Sequence, residues 1–158
     1  MGEEPAKPIE LSIWIAARPE TVFAFLIDPQ KLVQWLGVAA DLEPRRGGSF
    51  RVDMNGRDVV RGHYLDVSPP SRVVFTWGWE SGEGRIAAGS TTVEITLAPS
   101  DSGTLLRLQH SGLPAPDREA HARGWQHYAE RLKARAEGRD PGPDAFAAPE
   151  HRHTNPDS

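Results

Sequence analysis

The chain has 158 residues, 18 Lys and Arg against 22 Asp and Glu, a net charge of −4 and no cysteine. One domain of this length buries roughly 68–70% of its unfolded surface, so its core needs no covalent staples. The missing cysteine excludes disulfides and thiolate chemistry, Cys-ligated zinc included, and the acidic balance gives no general electrostatic reason to bind nucleic acid.

Residues 1–8 are polar and proline-bearing and lack the apolar segment of a secretory signal. No apolar run approaches the roughly 20 residues a membrane helix needs, so the expectation is a cytoplasmic protein without membrane contact. Ile9, Leu11, Ile13 and Ile15 alternate with polar residues and Trp14, which predicts a strand with one buried face. Pro19 opens a short helix carrying Val22, Phe23, Phe25 and Leu26; Asp28-Pro29 interrupts it. A second short helix carries Leu32, Val33, Trp35 and Leu36 and stops at Gly37.

From Ala39 to Gly112 the pattern is strands and turns. Ser49–Met54 alternates Phe50, Val52 and Met54 against Arg51 and Asp53, and Asn55-Gly56 signals a hairpin into Asp58–Val67. Pro69-Pro70 turns the chain into Arg72–Trp79, where Val73, Phe75, Trp77 and Trp79 share one parity. Glu80–Gly89, with three glycines, is expected to be a loop and a candidate lid. Ser90–Ala98 and Thr104–His110 complete an antiparallel meander. Ala115–Glu137 reads as the longest helix, with Trp125, Tyr128, Ala129, Leu132 and Ala136 at helical spacing, closed by Gly138. Beyond it the chain is rich in Pro, Gly, His and Asp. The expected organisation is one domain over 9–138, with flexible termini at 1–8 and 139–158.

Strand, helix pair, antiparallel strands and long C-terminal helix is the order of the helix-grip fold. Several segments carry a more specific likeness: Ala17-Arg18-Pro19-Glu20-Thr21-Val22-Phe23, Asp28-Pro29 with Trp35, Gly47-Gly48-Ser49-Phe50, Gly62 through Pro70 with Arg72–Trp77, His110-Ser111-Gly112-Leu113, and Gly124-Trp125 with Leu132. Over about residues 9–137 the chain resembles the START-like (SRPBCC) superfamily, in the branch named for activators of heat-shock-protein ATPase. The resemblance implies an α+β fold whose antiparallel sheet wraps the C-terminal helix, with two short helices after the first strand. It also implies a cavity between sheet and helix. It does not imply one activity, because fold and function separate in such families.

On that fold the inward parities place Trp35, Phe50, Val52, Phe75, Trp77, Val93, Leu108, His110, Trp125 and Tyr128 around the cavity. They are the expected contacts of a small hydrophobic or aromatic molecule, with His110 and Tyr128 as its polar anchors. The opposing reading is that they are ordinary core, and that His110 is a satisfied structural histidine. His121, four residues before Trp125, lies at the pocket mouth or on the helix surface. His151 and His153 fall on the tail, and no metal or cofactor is expected. Hydrolytic chemistry lacks its motifs, since there is no Gly-x-Ser-x-Gly elbow and no phosphate loop. The reading therefore leans to a non-enzymatic binder. A cyclase- or lyase-like enzyme in the same cavity, and a chaperone-interaction or stress-response module, stand as alternatives. A homodimer is left open through Trp14, whose parity opposes the buried isoleucines.

Overall fold

The computed structural model describes residues 7–81 and 86–144. Strand β1 (Ile9–Ile15) leads through helices α1 (Pro19–Ile27) and α2 (Pro29–Leu32) into six strands: β2 (Ala39–Leu42), β3 (Ser49–Asp53), β4 (Val59–Ser68), β5 (Arg72–Trp77), β6 (Thr91–Ser100) and β7 (Gly103–Ser111). Helix α3 (Ala115–Ala136) follows. The seven strands form one sheet in the order β1-β7-β6-β5-β4-β3-β2, every neighbour antiparallel. This is the helix-grip arrangement.

The local chemistry accounts for each junction. Pro19 sits in the first turn of α1, and Asp28 caps α2 by accepting the Gln30 N–H at 2.9 Å. Gly37 adopts φ +80°, and a Cβ there would lie 2.6 Å from Val52, so only glycine suits this turn into the sheet. The expected strand Arg72–Trp79 ends at Trp77. A Cβ on Gly78 would meet the Ala87 carbonyl at 1.7 Å, so the returning chain crosses directly over the glycine. Trp79 continues only as isolated bridges to Val60 and Ala87. Of the loop proposed as a lid, residues 82–85 lie outside the described residues. Its near flank is held at Glu80, which receives Arg51 at 3.0 Å and Arg61 at 2.9 Å.

The interior between β3, β4 and β5 is closed by aromatic rings. Phe50 stacks on Phe75 with centroids 4.1 Å apart, and Tyr64 meets both edge-on. Helix α3 lies along the sheet, with Trp125, Tyr128, Ala129 and Leu132 buried. Its C-terminal turn is tied to the start of the chain. Glu137 accepts the Ala16 N–H at 2.8 Å and the Lys133 ammonium at 2.8 Å, while Lys133 also reaches the Trp14 carbonyl. Of the tail expected to be flexible from 139, residues 139–144 run back along α3. Arg131 donates to the Gly142 carbonyl at 2.9 Å, and His127 and Asp144 pair at 2.8 Å. His151 and His153 lie outside the described residues.

Trp14 projects from the outer face as its parity predicts and is 39% exposed. Its indole N–H nevertheless donates to the Ser100 carbonyl at 2.8 Å, and Lys133 sits over its ring. Its ring also lies where a Cβ on Gly103 would fall, at 2.7 Å. The side chain thus fastens the β6–β7 turn to β1 and α3. Among the described residues, no helix is long and apolar enough to cross a membrane.

Candidate ligand-binding site

The site begins at Trp125, which α3 points into the sheet. Its ring lies against Trp77 of β5, with centroids 5.0 Å apart. Its indole N–H, which can only donate, reaches His110 Nδ1 at 2.9 Å. Nδ1 must therefore be the unprotonated nitrogen, and the ring proton sits on Nε2. Nε2 is 2.8 Å from the Thr91 hydroxyl, which itself donates to the Trp77 carbonyl at 2.7 Å. The result is a closed relay from Trp125 through His110 and Thr91 to the backbone of Trp77. Burial, together with the neighbouring His121, pushes the His110 pKa down to about 3, so the ring stays neutral.

This relay decides the role of His110. The residue is fully buried and both nitrogens are used within the fold. It stands behind Trp125 rather than at a surface a ligand could reach. A proton-transfer role would need a free nitrogen, and His110 offers none.

On the outer side of Trp125 the helix and sheet stand apart, leaving a recess of about 190 Å³. Trp77 and Trp79 wall it from the sheet, Met54 from the end of β3, and Ala120, His121, Gly124, Trp125 and Tyr128 from α3. The walls are overwhelmingly apolar. Trp77 adds a buried indole N–H that has no hydrogen-bond partner among the described residues. A larger hollow of about 330 Å³ crosses the outer face of β1, β6 and β7. Glu10, Glu94 and Arg107 line it, and such a charged, wet surface is poorly suited to an apolar molecule.

Gly124 is the unusual member of the wall. Glycine inside a helix costs about 1 kcal/mol relative to alanine. Here no atom lies within 4 Å of where a Cβ would sit, so close packing does not explain the choice. The missing side chain is simply space, and that space belongs to the recess.

Of the residues expected from sequence, Trp77, Trp125 and Tyr128 line the recess. Phe50, Val52, Phe75, Val93 and Leu108 are packed in the core away from it. Trp35 lies in the elbow, where its N–H donates to the Phe25 carbonyl at 2.9 Å. Trp79, on the parity of Trp77, and His121, expected at the pocket mouth or on the helix surface, both line it. Met54, Ala120 and Gly124 were not among the expected contacts. Met54 carried a signal, since it continues the inward parity of Phe50 and Val52, and so did a glycine in mid-helix.

Comparison with known proteins agrees with this architecture. Residues 16–137 match the family model described as activator of Hsp90 ATPase homolog 1-like protein. The human activator of 90 kDa heat shock protein ATPase homolog 1 is 33% identical over 127 residues, 78% of this chain. The chain spans only 35% of that relative's length. The solution structure of an AHSA1-like protein from Rhizobium etli is 40% identical with a TM-score of 0.71, covering 95% of this chain and 93% of that one. The Aha1 dimer of Colwellia psychrerythraea shares the fold at a TM-score of 0.73 and 20% identity, covering 87% of this chain and all of that one (100%). With a family model matched from residue 16 through the C-terminal helix, the chain belongs to the AHSA1-like family of the START-like fold.

Proposed function

We propose that this protein binds a small, mainly aromatic or aliphatic molecule, without transforming it, in the recess between β5 and the N-terminal half of α3. The observation that carries this reading is Gly124. A helix gives up about 1 kcal/mol there and gains no close packing, yet the gap it leaves is ringed by Trp77, Trp79, Trp125 and Met54. Cofactor and drug-like sites have this composition, apolar walls with few polar groups. The closed relay at His110 weighs against the cyclase- or lyase-like alternative in the form that would use His110 as its general base, and the described walls of the recess carry no carboxylate to work beside it. A heat-shock-protein ATPase stands in the name of the relatives this chain only partly spans, and the apolar recess among the described residues favours the small-molecule reading instead.

Native mass spectrometry of protein purified from its own host tests the reading directly. The expected result is a co-purified small molecule retained by the wild type and absent from Gly124→Leu, whose side chain fills the recess. Ligand retained equally by the Leu variant places the binding elsewhere and overturns the reading.

A further inference from the structure

In the wall of the recess, His121 presents a fixed and unused hydrogen-bond acceptor. Its Nδ1 lies 3.1 Å from the Asp117 carbonyl one helical turn back, and a carbonyl can only accept. Nδ1 therefore carries the proton. Nε2, on the opposite side of the ring and turned away from the helix backbone, keeps its lone pair. It has no partner among the described residues. The ring is held from two sides, by His110 at 5.6 Å and by Trp79 at 6.5 Å between centroids. The described walls of the recess carry no Lys, Arg, Asp or Glu. Burial also lowers the His121 pKa, against the opposing pull of Asp117, which keeps the imidazole an acceptor at neutral pH.

We propose that His121 Nε2 selects, within this recess, neutral aromatic ligands that carry one hydrogen-bond donor, such as a phenol. The assignment rests on the ligand-binding reading above. An apolar ligand of the same shape would bury Nε2 unpaired, whereas a hydroxyl satisfies it. An apolar cavity of about 150 Å³ takes benzene, so the recess of about 190 Å³ suits one substituted ring.

Phenol and toluene share a shape and differ in the donor. Titration of each into 15N-labelled protein, followed at the indole N–H resonances of Trp77, Trp79 and Trp125, gives both affinities. In His121→Phe, phenol is expected to weaken about tenfold while toluene changes by less than about twofold, as a hydrogen bond near the upper end of its usual worth implies. His121→Gln keeps an acceptor and is expected to retain phenol binding within about threefold. Equal loss of both ligands in the Phe variant, or a Gln variant as weak toward phenol as Phe, overturns the role of His121 and leaves the ligand reading standing. Wild-type protein that binds neither molecule overturns both.

Discussion

The two halves of α3 face the same sheet and meet it differently. Toward the C-terminus, Leu132 is buried to 2% exposure, Glu137 clamps the helix to Ala16, and Lys133, paired with Glu137, reaches the Trp14 carbonyl. Toward the N-terminus, Ala120, His121 and Gly124 border the recess together with Trp77 and Trp79. Between them, the Trp125–His110–Thr91 relay pins the helix to the sheet with fully paired polar groups. Holding the helix and leaving the recess thus fall to different turns of one element. A side chain can change at one end without collapsing the other.

Substitutions can break that division in order of size. Leu132→Ala leaves a cavity in the clamped half and is expected to cost about 2–5 kcal/mol in urea unfolding. A cost below 1 kcal/mol would mean the C-terminal half is not the anchor. His110→Phe strands the Trp125 N–H in the interior and should cost about 1–3 kcal/mol. It should also shift the Trp125 indole resonance, and an unmoved resonance would contradict the relay.

Glu137→Gln is smaller, about 1 kcal/mol at neutral pH, and carries a pH signature. Burial raises the Glu137 pKa, but the Ala16 N–H, Lys133 and Arg139 outweigh it and hold the carboxyl at about 2, below its ordinary 4.5. A depressed carboxylate stabilises fully above its unfolded value, and that stability is lost as pH falls through the folded value. Wild type and variant should therefore converge between pH 4.5 and 2; a gap that stays constant over that range would show the carboxylate is not the source. Gly124→Ala sharpens the comparison from the other side. With nothing within 4 Å of the new Cβ, it should raise stability by about 0.5–1 kcal/mol. A loss of stability would mean the N-terminal half is packed after all.

Much of the fold was legible from periodicity and turn chemistry. The alternation of Ile9 to Ile15, the Asn55-Gly56 hairpin and the spacing of Trp125, Tyr128 and Leu132 are local signals, and each produced its element. Strand β2 was not singled out, because four residues with two alanines carry little alternation; its place comes from pairing Ala39–Leu42 with Phe50–Asp53. The end of β5 was also illegible, since Gly78 is a breaker only because Ala87 passes over it. In the site, parity identified inward residues correctly but could not say which of them meet. Phe50 and Phe75 point inward and stack on each other, whereas Trp77 points inward and borders open space.

By itself the sequence determined the elements, their order and the apolar stripe of α3, because hydrophobic periods of two and about 3.6 are properties of neighbouring residues. Only the tertiary structure decided what the ring nitrogens of His110 and His121 meet. Both have one nitrogen fixed by a partner of known polarity. His110 meets Thr91 and Trp125, 19 and 15 residues away, and its second nitrogen is used as well. His121 bonds back to its own helix through one nitrogen, and its ring lines the recess. The chemistry of an imidazole is set by what stands within 3 Å of each nitrogen, and that is a fact of packing rather than of order along the chain.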